Sequence, residues 1–296
     1  MQCTYSHLFN SEYGFFRLNP LPTERELEEY YRNDYYQKSV SKTYAKKYTA
    51  GEIEHILNGA CVAQKCFQDL TGKSVGGLCD VGCGEGYFVK WFADHGWKVN
   101  GCDYSEYGIA ENNPTMLAHF TAGNIDDSIQ QMIREEKVFD LINMSYVLEH
   151  VLQPWRILQL VRSIMHPRSV LRIEVPNDFS LFQSFLLQKK NVEQTYWVSS
   201  PDHINYFNFD SLAFFLQKSG FKVVDALTDF PIEMFLANTN SNYVRTSTAG
   251  KGAHEARIEI DNYLIRQGIE KYIEYYRAAA KLKFGRAVIF FCVLAD

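Results

Sequence analysis

The residues with the clearest chemical meaning lie between Leu78 and Asp103. In Leu78-Cys-Asp-Val-Gly-Cys-Gly-Glu-Gly-Tyr87 an apolar run ends at Asp80, and three glycines then alternate along a turn. Gly82, Gly84 and Gly86 admit backbone angles closed to other residues and let a ligand lie directly against the main chain. Seventeen positions after Gly86, the segment Trp97-Lys-Val-Asn-Gly-Cys-Asp103 closes on a carboxylate that can meet a ribose diol. A glycine loop alone is equally an ordinary turn between strand and helix. Asp80, the loop and Asp103 together describe a nucleotide-type pocket.

The glycine spacing selects among nucleotides. In the dinucleotide fingerprint G-x-G-x-x-G a pyrophosphate sits over the following helix. Here the third glycine arrives one residue early and Tyr87 takes the place of the dinucleotide glycine. With Asp80 ahead of it, the loop resembles the D/E-x-G-x-G-x-G motif of class I S-adenosylmethionine-dependent methyltransferases, whose cofactor has no phosphate to cradle. Phe139-Asp-Leu-Ile-Asn-Met-Ser-Tyr-Val-Leu-Glu-His-Val151 and Ser169-Val-Leu-Arg-Ile-Glu-Val-Pro-Asn177 are similar to the fourth and fifth strands of the branch that includes ubiquinone-biosynthesis and sugar methyltransferases. The resemblance runs from about Leu78 to Asp225.

That resemblance implies an α/β, Rossmann-like fold with a seven-stranded sheet of order 3-2-1-4-5-7-6, its last strand antiparallel. It implies S-adenosyl-L-methionine as cofactor and S-adenosyl-L-homocysteine as product. The Gly82–Gly86 backbone would hold the amino-acid end of the cofactor, with Asp80 ordering the loop or meeting the ammonium group. Asp103 would accept from both ribose hydroxyls and Tyr104 would stack on adenine. Asn124 and Ile125 match the place where relatives bind the adenine amino group and cover the ring. Most relatives carry Asp at the position of Asn124, whose side-chain carbonyl can accept the same bond. Met144 and Ser145 would present main-chain groups to the methionine part. The alternatives are a helix N-cap for Asp103 and a turn residue for Asn124. Tyr31, Tyr35 and Tyr36 either close over the cofactor or pack helices together.

Methyl transfer from a sulfonium is an in-line displacement, accelerated by alignment and exclusion of water. A hydroxyl acceptor must also lose a proton, for which neutral histidine is suited. Ser200-Pro-Asp-His-Ile-Asn-Tyr-Phe-Asn-Phe209 resembles the acidic-His-x-x-x-Phe segment of sugar and ubiquinone-type methyltransferases, which makes His203, beside Asp202, the first candidate base. The rival reading makes both turn residues ahead of a helix capped by Asn208 or Asp210. His150 is the second candidate. Lys251, His254 and Arg257 stand three residues apart at a helix start, with Arg245 nearby. They form either an anion site or a solvated face. As an anion site they point to a phosphorylated acceptor, such as a nucleotide-sugar or a surface-polysaccharide precursor.

The expected activity is therefore methylation of a small, polar, sugar-like acceptor at oxygen, with nitrogen and carbon acceptors left open. A nicotinamide-dependent oxidoreductase and a non-catalytic cofactor-binding scaffold are the competing readings.

Strand and helix patterns alternate from Val75 to Leu171, which predicts a parallel sheet with helices on both faces. Strands are expected near Gly77–Val81, Lys98–Asp103, Phe120–Ala122, Phe139–Met144, Val170–Val175, Phe221–Asp229 and Ala287–Leu294. The organisation that follows is an N-terminal helical lid over 1–74, a core over 75–229, a helical insertion over 230–285 and a final core strand in 286–296. In the lid, Thr23 is a helix N-cap and Tyr44 to Leu70 reads as one long amphipathic helix. In the insertion a helical pattern from about Glu255 to Lys281 would cap substrate or mediate dimerisation.

Composition narrows the class. The chain has 296 residues, 46% hydrophobic and 22% charged, enough for one α/β domain with additions. A net charge of −5 argues against nucleic-acid binding. With neither a signal-peptide pattern nor an apolar stretch of membrane-spanning length, a cytoplasmic protein acting on a small molecule is expected, as monomer or homodimer. The seven cysteines include no Cys-x-x-Cys pair and read as reduced, structural thiols. Some relatives carry an N-terminal metal knuckle; Cys3 alone cannot rebuild one, and no metal is expected.

Overall fold

The computed structural model describes residues 8–30, 48–200 and 202–295. Cys3, Tyr31, Tyr35 and Tyr36 lie outside them. The described chain opens with a short hairpin, β1 (Leu8–Asn10) and β2 (Phe16–Leu18), followed by α1 (Glu24–Tyr30). Thr23 and Glu26 cap α1 reciprocally: Glu26 N–H donates to Thr23 Oγ1 at 3.2 Å, and Thr23 N–H to the Glu26 carboxylate at 2.7 Å. The next helix, α2 (Ala50–Thr71), begins where Thr49 and Glu52 form a second capping box and stops at left-handed Gly72; Tyr44, the expected start of this pattern, lies outside the described residues.

The core continues as β3 (Gly77–Val81), α3 (Tyr87–Asp94), β4 (Lys98–Asp103), α4 (Tyr107–Asn112), β5 (Phe120–Ala122), α5 (Ile125–Arg134), β6 (Phe139–Ser145), α6 (Pro154–Ser163), β7 (Met165–Pro176) and α7 (Leu181–Gln188). After β8 (Asn205–Tyr206) come α8 (Phe209–Lys218), β9 (Phe221–Thr228), α9 (Ala249–Arg266), α10 (Ile269–Lys281) and β10 (Ala287–Leu294). The seven-stranded sheet has the order β5-β4-β3-β6-β7-β10-β9, with β10 antiparallel to both neighbours. Numbered as core strands, this is the expected 3-2-1-4-5-7-6. β7 begins at Met165, ahead of the expected Val170. An irregular pairing with β6 near Phe139 carries it past the turn-like His166-Pro167-Arg168, and Ser169 Oγ donates to Phe139 O at 2.6 Å.

Two apolar layers flank the sheet. Ile142, Met144, Ile173, Val175 and Phe290 face α5, α6 and α8, while Leu78, Leu141, Leu227, Ile289 and Phe291 face α2, α3 and α10. The second layer contains polar sheet residues as well, which opens the space described below. The insertion holds two helices in place of one continuous pattern, because Gly268 breaks the run with φ of 127°. α9 packs along α2, where Asn58 Nδ2 donates to Asn262 Oδ1 at 3.0 Å and Asn262 Nδ2 to Gly51 O at 2.9 Å. A three-stranded antiparallel sheet, β1-β2-β8, was not foreseen. No helix among the described residues is long and apolar enough to cross a membrane.

Candidate functional site

At the C-terminal ends of β3, β4 and β6 the chain encloses a cavity of about 890 Å³ that continues between the sheet and helices α2, α9 and α10. Glycine creates its entrance. Gly82 and Gly86 have φ of 76° and 74°, and an added Cβ would fall 2.5 Å from Val147 Cγ2 and 2.7 Å from Ile109 Cγ1, respectively. Any side chain there would be strained and would also collide. Asp103, 8% exposed at the end of β4, holds this loop: its Oδ2 accepts from Gly84 N–H at 3.0 Å and its Oδ1 from Ser105 N–H at 3.2 Å. The capping role and the cavity position thus coincide in one carboxylate.

Asp80 lines the same space, and its Oδ1 accepts from Asn143 Nδ2 at 2.7 Å. Burial pushes its carboxyl up to about 7, against the opposing pull of Asn143 and Arg172. Tyr104, Asn124 and Ile125 line the cavity together with Gly82, Gly84, Gly86 and Ser145. Asn124 is also the N-cap of α5, its Oδ1 accepting from Asp126 N–H at 2.9 Å. Met144 is different: strand alternation turns its side chain into the opposite apolar layer, and its neighbours Asn143 and Ser145 face the cavity.

Past β6 the chain makes a turn that carries the imidazole. Tyr146 is in the left-handed region at φ of 56°, a strained conformation at the cavity wall. Two carbonyls of this turn, Leu148 O and Val151 O, accept from Asn205 Nδ2 at 2.8 Å each. Asn205 is itself held by Arg17 Nε at 2.8 Å, so the small β1-β2-β8 sheet braces the turn. His150 emerges onto the cavity wall, and its Nδ1 lies 2.8 Å from the Asp202 carbonyl. A carbonyl only accepts, so the proton belongs on Nδ1 and the lone pair on Nε2. Burial lowers the His150 pKa, and Asp202 opposes that shift.

His203 sits behind His150, off the cavity wall, with ring centroids 4.9 Å apart and planes at 82°. Burial, reinforced by His150, brings its pKa down to about 3, which makes it a weak base. The sequence placed His203 first; the structure brings His150 to the cavity instead. Glu149 is fully buried, and neither carboxylate oxygen has a hydrogen-bond partner. Its side chain, His150 and His203 offer ligand atoms within 4.8 Å of one another, a spacing a cation could use. The sequence reading anticipated no such grouping.

The inner half of the cavity is walled by residues that local patterns did not single out. On the sheet, Arg172 Nη1 donates to Asn143 Oδ1 at 2.8 Å and Nη2 to Glu174 Oε2 at 2.8 Å. Asp229 stands at the end of β9, its Oδ1 accepting from Ala287 N–H at 2.6 Å, and burial pushes its carboxyl up to about 7. From the helices come His55 on α2, Arg257 and Asp261 on α9, and Tyr272 on α10. Asp261 accepts from Tyr276 Oη and lies 3.7 Å from His55 Nδ1; burial brings it up to about 6 and His55 down to about 4.

The four basic residues do not gather at one site, although Arg257 Nε donates to His254 Nδ1 at 3.3 Å. Arg257 lines the cavity. Lys251, 84% exposed, pairs with Glu255 at 3.6 Å. Three-residue steps on an α-helix fall about 60° short of a full turn, so Lys251 has swung about 120° from Arg257. His254 Nε2 meets Glu52 Oε1 at 3.1 Å, and the Arg245 guanidinium donates to Lys190 O.

A profile described as a methyltransferase domain matches residues 55–226. A ubiquinone biosynthesis O-methyltransferase of Coxiella burnetii is 26% identical over 159 residues, covering 53% of this chain and 66% of that protein. The chain therefore spans just under two thirds of that relative's length. A SAM-dependent methyltransferase from Archaeoglobus fulgidus superposes with a TM-score of 0.50 at 21% identity, over 80% of this chain and 94% of that one. The Burkholderia thailandensis 1,6-didemethyltoxoflavin-N1-methyltransferase, solved with its substrate and S-adenosylhomocysteine, gives 0.51 at 13% identity over 98% and 100%. At these identities the two structures share the fold.

Proposed function

The chain belongs to the methyltransferase-domain family, and from that premise we propose that it transfers a methyl group from S-adenosylmethionine to a hydroxyl of a small, polar, sugar-like molecule. The observation that carries the cofactor half is the left-handed Gly82–Gly86 loop held by the Asp103 carboxylate at 3.0 Å. Asp103, Tyr104, Asn124 and Ile125 serve the adenosine, while Asp80, the glycine backbone and the Ser145 end of β6 serve the methionine part. A nicotinamide cofactor is disfavoured by Tyr87 in the dinucleotide glycine's register.

For the acceptor half, His150 is the proton acceptor. Its Nε2 lone pair is fixed by the Nδ1 bond to the Asp202 carbonyl, and its lowered pKa keeps it neutral near pH 7. His203 positions His150. A polar acceptor is supported by the density of hydrogen-bonding groups on the inner wall: Ser145, Tyr146, Glu174, Asp229 and Tyr272. The insertion helices supply part of that wall, which favours the substrate-cap reading over a dimer contact.

Calorimetric titration with S-adenosylhomocysteine and with NAD, followed by transfer of labelled methyl to a pool of sugars and nucleotide-sugars, tests the reading. Binding of NAD without S-adenosylhomocysteine would overturn it; cofactor binding with no turnover of any hydroxylated acceptor would leave the scaffold reading.

A further inference from the structure

Among the described residues, one arginine of the inner chamber has no carboxylate partner in its walls. Arg172, deeper on the sheet, is neutralised by Glu174 at 2.8 Å. Arg257 donates from Nε to His254 Nδ1 at 3.3 Å, and no carboxylate of the described residues lies within ion-pair distance of its guanidinium. Its charge nevertheless acts on His55, Asp229 and Asp261, which places it among the chamber's titratable groups.

We propose that Arg257 receives a single carboxylate of the acceptor, so that the substrate is a hydroxylated monoanion, a sugar acid or hydroxy acid, with no phosphate. The inference rests on the methyltransferase reading above and deepens it.

Charge bookkeeping in the chamber favours a monoanion. Lys251 and Arg245, which would have supplied the further positive charge a phosphate dianion needs, face away or bind a main-chain carbonyl. His55 stays neutral near pH 7, its pKa held at about 4 by burial. Asp229 and Asp261 line the same cavity, and burial pushes their carboxyls up to about 7 and about 6, so near neutrality they add negative charge to its walls. A dianion would meet one cation and two partly ionised carboxylates. A planar monoanion can use the guanidinium fork with two parallel hydrogen bonds, and a protonated Asp229 or Asp261 can donate to it. Arg257 enters from α9 and His150 from the turn after β6, at different walls of one cavity. The carboxylate can therefore anchor at Arg257 while a hydroxyl elsewhere on the molecule meets the base.

The test uses the full chain, 15N-labelled and saturated with S-adenosylhomocysteine, whose binding is measured first. Failure at that step sinks the methyltransferase reading itself. The Arg257 Nε–Hε resonance, identified by its loss in Arg257→Gln, is followed during titration with acetate, D-glucuronate and inorganic phosphate at constant ionic strength. The expected result is a saturable shift with the carboxylates and a much weaker response to phosphate. By calorimetry, Arg257→Gln should lower D-glucuronate affinity about tenfold or more, and Arg257→Lys, which keeps the charge without the fork, should fall between. Cofactor affinity should not move in either variant. A phosphate response equal to or stronger than that of both carboxylates, or carboxylate binding indifferent to Arg257→Gln in a folded protein, overturns the assignment while leaving the methyltransferase reading intact.

Discussion

Removing the Asp103 carboxylate should damage cofactor binding in two ways whose sum can be worked from the structure. Each oxygen accepts one backbone N–H, from Gly84 at 3.0 Å and from Ser105 at 3.2 Å. A carboxylate oxygen can accept more than one bond, so two ribose hydroxyls can add to these. Hydrogen bonds to a charged acceptor contribute about 1.5–3 kcal/mol each, and water recovers part of the loss when the acceptor is deleted. The Gly84 N–H would also lose the partner that holds the loop in its binding shape. Asp103→Ala should therefore weaken S-adenosylhomocysteine by about 2–3 kcal/mol, roughly a thirty- to 150-fold rise in Kd. Asp103→Asn keeps one accepting oxygen for Gly84 but presents an amide NH2 in place of the second, and should lose about half as much free energy. Isothermal calorimetry on samples with matching circular dichroism gives the answer. An Asp103→Ala protein that is folded and binds within about threefold of wild type would refute the reasoning and leave Asp103 a cap alone.

Three further outcomes are expected. His150→Asn should lower kcat by about a hundredfold or more with unchanged cofactor affinity, and the wild-type rate should hold as pH falls to 6.5 before dropping through the depressed His150 pKa; an equal loss in a His203→Asn variant alone would reverse the two roles. His203 is a stability group: its pKa lies at about 3 against 6.5 in a free side chain, so below pH 6.5 the unfolded chain binds the extra proton and stability falls by up to about 1.4 kcal/mol per pH unit toward pH 3. Urea midpoints that decline as steeply in His203→Asn over that window would show that His203 is not the group responsible. Lys251→Ala should leave the acceptor's KM and its salt dependence unchanged, and a measurable rise in KM would return Lys251 to the binding surface.

What the sequence made legible was what a few contiguous residues decide. The Gly82–Gly86 loop could be read because left-handed backbone and close approach both demand glycine. The sheet order followed from the motif resemblance, and most strand positions from short apolar runs between turn residues. The chamber was invisible for the opposite reason. His55, Arg172, Asp229 and Arg257 come from α2, β7, the end of β9 and α9, elements that meet only in the folded chain, and each looks locally like an ordinary surface or strand residue. Two errors have the same origin. His150 and His203 were both recognised, yet which of them reaches the cavity depends on Asn205 and Arg17, 188 positions apart, clamping the turn after β6. Lys251, His254 and Arg257 were grouped by a three-residue step that drifts around the helix, so of the three Arg257 alone lines the cavity, with no ion-pair partner among the described residues. A signal for it did exist: an arginine one turn before Asp261, on the stripe of α9 that lines the cavity. Reading that stripe required knowing that α9 lies against α2, and this is information held in tertiary contacts, beyond any window of the sequence.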